Sequence, residues 1–486
     1  VKVLFVTPEC YPVMKTGGLA DVTGALPLAL AAQAVDARVL MPAYPGTIER
    51  LIDARTVAPL PQLFGGTGAL VEGVTAEGLR LWLIDAPHLF ARVGGGPYLG
   101  PDGHDWPDNH LRFAALSMVG ARLACGEIAA VAASWTPDVV HLHDWQAALT
   151  AAYLHFHKPP TPPTLLTLHN IAFQGVFPAD TLKALRLPAT AMNVDGMEYW
   201  GQLSFLKAGV MWSTHLSTVS PTYAREILTP EEGMGFDGLL RHRAHELTGI
   251  VNGIDTNVWN PATDPHVGSP YSLRRLTAKG ANKLALQREF AIDEQADAPL
   301  FCVVSRLTTQ KGLDLLVEAV PRLVAAGGQL VVLGTGDHGI EAAFHRAAER
   351  DPRRVAVQIG FDEALAHRMQ AGADAVLMPS RFEPCGLSQL YGLRYGTVPV
   401  VARVGGLADT VVDANEAAVR DGVATGVQFS PVVADALAVA IERTCDLFAD
   451  TATWKRLVRR AMSRDVGWER AAARYVEVYE RLVVSR

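Results

Sequence analysis

Short runs of consecutive apolar residues alternate with longer stretches of helical periodicity along most of the chain. In the first half the runs are VKVLFV (1–6), ARVLM (37–41), LRLWLID (79–85), DVVHLH (138–143), TLLTLH (164–169) and LSTVS (216–220). In the second half they are LFCVVS (300–305), QLVVLG (329–334), VAVQIG (355–360), DAVLMPS (374–380) and VPVVA (398–402). Hydrophobicity that is continuous rather than alternating predicts strands buried on both faces, as in parallel sheets covered by helices. Repeated strand–helix order then predicts an α/β protein with two doubly wound domains.

Between the two sets lies HELTGIVNGIDTNVWNPATDP (245–265), with Gly, Asn, Asp and Pro at turn positions, which predicts a hinge there. The expected domains are residues 1–247 and 248–466. Residues 467–486 form a helix after Gly467, with Trp468, Ala472, Tyr475 and Tyr479 on about one face, expected to cross back to the first domain. The apolar stretch from Gly24 to Val35 contains Pro27 and ends at Asp36, so it reads as a packed helix of a soluble layer.

Composition narrows the class. A chain of 486 residues with 49% apolar and 19% charged residues fits a globular protein of two domains. A net charge of −7 provides no basic footprint and argues against nucleic acid as the main partner. The five cysteines are scattered without a CxxC pair, so a cytoplasmic protein without disulfide framework or zinc site is expected. The opening VKVLFVTPE reads as a buried strand rather than a signal peptide, and no run of about 18 apolar residues predicts a membrane span.

In doubly wound sheets ligands sit beyond the carboxyl ends of the strands, so the residues that follow each strand carry the chemistry. After the first strand come Lys15, Thr16, Gly17 and Gly18, opening a helix. Adjacent glycines admit a ligand close to the backbone, a helix start offers N–H donors, and lysine is a mobile cation for phosphate. A tight turn with a solvated lysine is the alternative. The strand at 138–143 ends in His143, Asp144 and Trp145, and that at 164–169 in His169 and Asn170. Carboxylate, amide and aromatic face together suit a sugar.

In the second half, Arg306, Gln310, Lys311 and Gly312 lie between a strand and a helix, where a guanidinium fork and an ammonium suit a diphosphate. Preorganised cations aimed at a leaving group are worth several kcal/mol, by order of magnitude. After the strand at 374–380 come Arg381, Glu383, Cys385, Gly386, Leu387 and Ser388, which present a carboxylate and a row of N–H groups at a helix mouth. Cys385 has no sequence-evident base, so a packing or hydroxyl-contact role is favoured over a nucleophilic one. Gly334, Gly336 and Gly339 spell GxGxxG, but Asp337 would repel a pyrophosphate and the next strand ends in Ile359 and Gly360, so a sharp turn is the better reading. No HExxH, DxD or GxxxxGK[ST] occurs, and nothing visible requires a metal or a resident cofactor.

These groups, in this order, resemble bacterial glycogen synthases and plant starch synthases nearly end to end. The resemblance rests on KTGGLADV (15–22), VVHLHDWQ (139–146), LHNIAFQG (168–175), VSPTYAREI (219–227), VNGID (251–255), SRLTTQKG (305–312) and SRFEPCGLSQLYGLRYG (380–396). It implies a GT-B fold, in which two doubly wound Rossmann-like domains face each other across a deep cleft. It also implies retaining transfer of glucose from ADP-glucose to the non-reducing end of an α-1,4-glucan (glycogen), without metal. By motif, Lys15, Gly17 and Gly18 contact the donor, Arg306 and Lys311 hold its diphosphate, and Glu383 with Cys385, Gly386 and Leu387 holds the glucosyl and ribose side. Asp144, His169 and Asn170 line the reacting sugars; Asn252 and Gln310 match motif positions near the cleft.

The chain departs from related retaining transferases in three places. Tyr391 stands eight positions after Glu383, where many carry a second glutamate; Ser388 stands where Thr is common, and Phe361 where Tyr is frequent. Without an assignable second carboxylate, front-face departure and attack is favoured over double displacement. The competing readings are a transferase using UDP-glucose or another acceptor, a pyridoxal-phosphate-dependent glucan phosphorylase, and a non-catalytic glucan-binding protein.

Overall fold

The computed structural model describes residues 1–157 and 160–484. The chain forms two compact units, the first of Val1–Asn252 together with the segment from Trp468 onward, the second of Gly253–Gly467. Strands of the first unit are β1 (Lys2–Val6), β2 (Asp36–Pro42), β3 (Ile52–Leu63), β4 (Gly66–Val74), β5 (Arg80–Asp85), β6 (Val139–His143), β7 (Thr164–Leu168), β8 (Val176–Pro178), β9 (Glu198–Tyr199), β10 (Gln202–Ser204), β11 (His215–Thr218) and β12 (Leu247–Gly249). Those of the second are β13 (Leu300–Val304), β14 (Gln329–Gly334), β15 (Val355–Ile359), β16 (Ala375–Met378), β17 (Val398–Ala402) and β18 (Val427–Phe429).

In the first unit nine strands form one sheet in the order β12-β11-β7-β6-β1-β2-β5-β4-β3. All neighbours from β12 to β5 run parallel, and β4 and β3 are added antiparallel. The central strands are sealed: Val3, Leu4, Phe5 and Val6 have no exposed surface. That matches the continuous apolar runs and is what a sheet covered on both faces demands.

Several elements differ from the sequence reading. The β3–β4 hairpin was not expected, because most of β3 is exposed and no apolar run betrays it. Strands β8, β9 and β10, two or three residues each, make a small separate sheet too short to leave a pattern. The expected boundary between residues 247 and 248 falls inside β12, which pairs with β11 and belongs to the first sheet. The helix expected to reach Val35 runs Gly18–Ala31. It stops where Ala34 takes φ 59° and the Val35 N–H turns back to the Leu30 carbonyl at 3.1 Å.

The helix Glu469–Val484 is part of the first unit and buries Ala471, Ala472, Tyr475, Val478, Tyr479 and Leu482. Its Tyr479 hydroxyl lies 2.8 Å from His141 Nδ1 on β6. Among the described residues no helix is long and apolar enough to cross a membrane.

The second unit holds one parallel sheet, β15-β14-β13-β16-β17-β18. In both units the order reverses direction beside the first strand, between β1 and β6 and between β13 and β16. The connections leave those points in opposite directions, so a crevice opens at the strand ends there. The loops after β1, β6, β13 and β16 are among those the sequence marked as chemical, together with the loop after β7.

One glycine holds the second crevice in shape. Gly312 has φ 66°, and a side chain there would collide with the Pro379 carbonyl at the end of β16. Gly312→Ala is expected to destabilise the second unit by about 2–4 kcal/mol through combined backbone strain and collision. Urea unfolding followed by circular dichroism measures it, and a loss below about 0.5 kcal/mol contradicts the reading.

Candidate functional site

At the first unit's crevice the turn after β1 is built on a carboxylate that the sequence reading passed over. Glu9 is 3% exposed and accepts hydrogen bonds from Thr16 N (2.5 Å), Thr16 Oγ1 (2.8 Å) and Tyr98 Oη (2.7 Å). Burial raises its pKa, while these bonds and one from the Gly17 N–H pull it back. Two N–H groups that could have met an anion are thus turned inward to Glu9. Lys15 Nζ pairs with Asp21 at 2.9 Å and sits 5.4 Å from the Tyr11 ring. Open space lies where a Gly17 side chain would stand, and Gly18 begins the helix. A hint of Glu9 was present, since it is the first acid beyond β1.

Asp144 follows β6 with φ 55°, unusual for a residue other than glycine. Its Oδ1 accepts from the backbone N–H groups of His169 (2.6 Å) and Asn170 (3.4 Å), tying the end of β6 to the end of β7. Burial raises its pKa to about 7, against the two backbone bonds; the nearby Glu9 charge adds to the rise. His169 is 9% exposed, and burial lowers its pKa to about 3, so its imidazole is neutral at working pH. Its Nε2 lies 2.9 Å from His143 Nδ1. The Asn170 Oδ1 accepts from the Ala172 N–H at 3.0 Å, which shapes the following turn.

Trp145 corrects an expectation. Its ring packs edge-on against Phe113 with centroids 5.0 Å apart, touches Phe177 and Phe205, and has the Gly175 backbone against it. It is a core side chain rather than an open platform for sugar; in this region Phe173 is the ring that is half exposed. Asn252 is 7% exposed, and its Oδ1 has no hydrogen-bond partner among the described residues.

The second unit's crevice brings together most of its expected residues. Lys311 Nζ meets Glu383 Oε2 at 2.5 Å, and the Ser380 hydroxyl donates to the same oxygen at 2.9 Å. Glu383 is 5% exposed, while Arg306 is exposed and its guanidinium has no partner among the described residues. Lys311 is therefore not a solitary cation: Glu383 neutralises and aims it. Gln310 contributes its carbonyl to the Arg381 N–H at 2.9 Å, and Arg381 grips Asp314 with two bonds of 2.7 Å, which pins the loops after β13 and β16 together.

The turn beyond Glu383 is compact. Cys385 is 5% exposed with its carbonyl accepting from Gln389 Nε2 at 2.9 Å, Gly386 has φ 75°, and Leu387 precedes the helix Ser388–Tyr395. The Gly406 N–H reaches the Glu383 carbonyl at 3.0 Å. Tyr391 lies flat on Trp259 with centroids 3.6 Å apart, and His367 covers the other face at 3.7 Å. The position eight after Glu383 is thus a packing position. Phe361, by contrast, is 81% exposed beyond β15.

The GxGxxG stretch has a structural account. Side chains at Gly334 and Gly336 would collide with the carbonyls of Ser305 and Leu307. Asp337 caps the helix His338–Arg350 by accepting from the Ile340 N–H at 3.0 Å, and Glu341 accepts from the Gly336 N–H at 2.8 Å. Two acids already occupy the donors a pyrophosphate would need.

Comparison with known proteins adds the family context. Residues 2–242 match the family described as starch synthase catalytic domain, and residues 287–455 that described as glycosyl transferases group 1. A glycogen synthase of Roseobacter denitrificans is 57% identical over 483 residues, 99% of this chain and 100% of that protein. One from Rhodopseudomonas palustris is 52% identical over 486 residues, covering 100% of this chain and 98% of that protein. The catalytic domain of starch synthase IV from Arabidopsis thaliana, solved bound to ADP and acarbose, superimposes with a TM-score of 0.90 at 31% identity, covering 100% of this chain and 99% of that one. Sucrose-phosphate synthase from Thermosynechococcus elongatus shares the fold with a TM-score of 0.58 at 16% identity over 100% of both chains.

The environment of Asp144 yields a pH signature. Its folded pKa is raised from 3.8 to about 7, so between those values the folded state keeps a proton that the unfolded state has lost. Stability from this group is therefore present at low pH and declines as pH rises from about 4 to about 7. Asp144→Asn keeps an acceptor for the His169 N–H and cannot ionise. The melting temperature of the variant minus that of the parent is expected to increase across that interval and level off above it. A difference independent of pH contradicts the raised pKa.

Proposed function

Because the chain belongs to the glycogen and starch synthase family of GT-B glycosyltransferases, we propose that it moves glucose from ADP-glucose to the non-reducing end of an α-1,4-glucan such as glycogen, with retention and release of ADP. The observation that carries the site assignment is the Lys311–Glu383 pair beside the unpaired Arg306, all at the crevice of the second unit. The related starch synthase domain solved with ADP supports an adenosine diphosphate leaving group.

In this reading the second unit takes the donor. Arg306 provides a fork for diphosphate oxygens, and Lys311, aimed by Glu383, adds charge as the bond to the leaving phosphate lengthens. Glu383 and the Cys385–Gly386–Leu387 turn hold the glucosyl and ribose hydroxyls, and Phe361 offers a ring for the base to stack on. Gln310 contributes by fixing the loop. The first unit takes the sugar side: Lys15 and the open backbone at Gly17 and Gly18 meet the donor, while Asp144, His169, Asn170 and Asn252 line the reacting sugars.

The chemistry follows from the charges. His169 is too weak a base, with a pKa near 3, to take the acceptor proton, so it serves as a neutral hydrogen-bonding group. Tyr391 and its stack leave no carboxylate at the second acidic position, which supports front-face attack with the departing phosphate oxygen accepting the acceptor hydroxyl proton. The five free cysteines support a reducing, cytoplasmic setting.

A donor screen with glycogen as acceptor tests the reading. ADP-glucose is expected to exceed UDP-glucose by at least tenfold in kcat/KM, about 1.4 kcal/mol in transition-state binding. A preference for UDP-glucose overturns the donor assignment, and absence of transfer from either overturns the activity. Arg306→Ala and Glu383→Ala are each expected to lower kcat by about 100-fold or more while circular dichroism is unchanged. Near-parental kcat in both removes the site assignment.

A further inference from the structure

The imidazoles of His143 and His169 make a buried pair whose protons have one acceptable arrangement. His143 Nδ1 and His169 Nε2 are 2.9 Å apart, so one donates and the other accepts. His143 has no exposed surface, and its Nε2 is sealed without a hydrogen-bond partner among the described residues. Phe5 stacks on the ring with centroids 5.2 Å apart and His141 lies at 4.2 Å, so the ring is packed among aromatic neighbours rather than open to water. Burial and the neighbouring imidazoles lower the pKa of His143, as burial lowers that of His169, so neither ring carries a second proton.

Two neutral arrangements remain. If His169 Nε2–H donated, the His143 proton would have to sit on Nε2, as a sealed donor with nothing to meet. If His143 Nδ1–H donates, the sealed atom is a bare acceptor, and buried donors without partners are the rarer and costlier kind. In that arrangement His169 must carry its own proton on Nδ1. That atom makes no hydrogen bond among the described residues and is not one of the sealed atoms.

We propose that His143 is a positioning residue that fixes the tautomer of His169, so that His169 presents an Nδ1–H donor to a sugar oxygen at the carboxyl edge of β7. The inference rests on the glucosyltransferase reading for the identity of the oxygen, and on the hydrogen-bond geometry and burial of the two rings for the tautomer. His143 touches no substrate in this account; it sets which half of a hydrogen bond His169 supplies. A donor at that place recognises an oxygen lone pair and stays uncharged throughout the working pH range.

The decisive comparison uses two side chains of nearly equal shape. Asn at position 143 places an amide N–H near the former Nδ1, whereas Leu fills the space without a donor. His143→Asn is expected to keep kcat within about threefold of the parent, and His143→Leu to lower it by about tenfold or more. Equal losses in the two variants, or no loss in His143→Leu, overturn the proposal, because packing alone then explains the residue. Independently of the fold of the position-143 variants, two-bond proton–nitrogen spectra of the imidazole-labelled parent protein, assigned by the signal lost in His169→Gln, are expected to show the His169 proton on Nδ1. A proton on Nε2 overturns the proposal even if glucose transfer proceeds normally. Failure of the parent to transfer glucose while the spectra show Nδ1–H overturns the activity and leaves the tautomer assignment standing.

Discussion

Everything chemical in this protein depends on parallel pairing at two places, β1 with β6 and β13 with β16. Parallel strands deliver all their carboxyl ends to one edge, and the reversal of winding beside β1 and β13 keeps connecting helices from covering that edge. Each crevice therefore receives two loops that are far apart in sequence. Glu9 and Asp144 come from the two loops of the first, and Arg306 and Glu383 from those of the second. Asp144 illustrates how tightly strand ends are coupled, since a single carboxylate oxygen binds backbone donors at the end of the neighbouring strand.

The two edges solve opposite electrostatic problems. The second keeps one exposed guanidinium uncompensated and holds a lysine in reserve against a buried glutamate. The Lys311 ammonium is thus fixed in place before any charge develops beside it. The first edge is instead made of groups that burial drives toward neutrality: a carboxyl with a raised pKa and imidazoles with lowered ones. Groups of that kind discriminate by the direction of their hydrogen bonds, which suits hydroxyls that differ only in position around a ring.

The central strands were legible because their burial on both faces leaves uninterrupted apolar runs, and the loops after them because glycine pairs and charged residues follow those runs directly. What escaped had physical reasons. The β3–β4 hairpin is too exposed to look like a strand, and β8 to β10 are too short. Glu9 was hidden because a buried carboxylate is recognised by its partners, and those come from Thr16 and, far along the chain, Tyr98. Trp145 misled in the other direction: next to Asp144 in sequence it looks like part of a sugar site, yet the helix beginning at Asp144 turns its ring into the core. Lys311 and Glu383 were each visible, but their pairing across the crevice was not.

The place of the helix Glu469–Val484 in the first unit bears on the order in which the molecule is completed. A ribosome makes the chain in sequence order, so all of Gly253–Gly467 emerges before Tyr479 can reach His141. The second unit is contiguous and can finish its sheet as it appears. The first unit, whose strands all precede Gly253, finishes its sheet earlier still but lacks this helix. The surface that the helix covers stays open to water during synthesis of the whole intervening segment, and that interval is when the nascent protein is most exposed to chaperones and to misassociation.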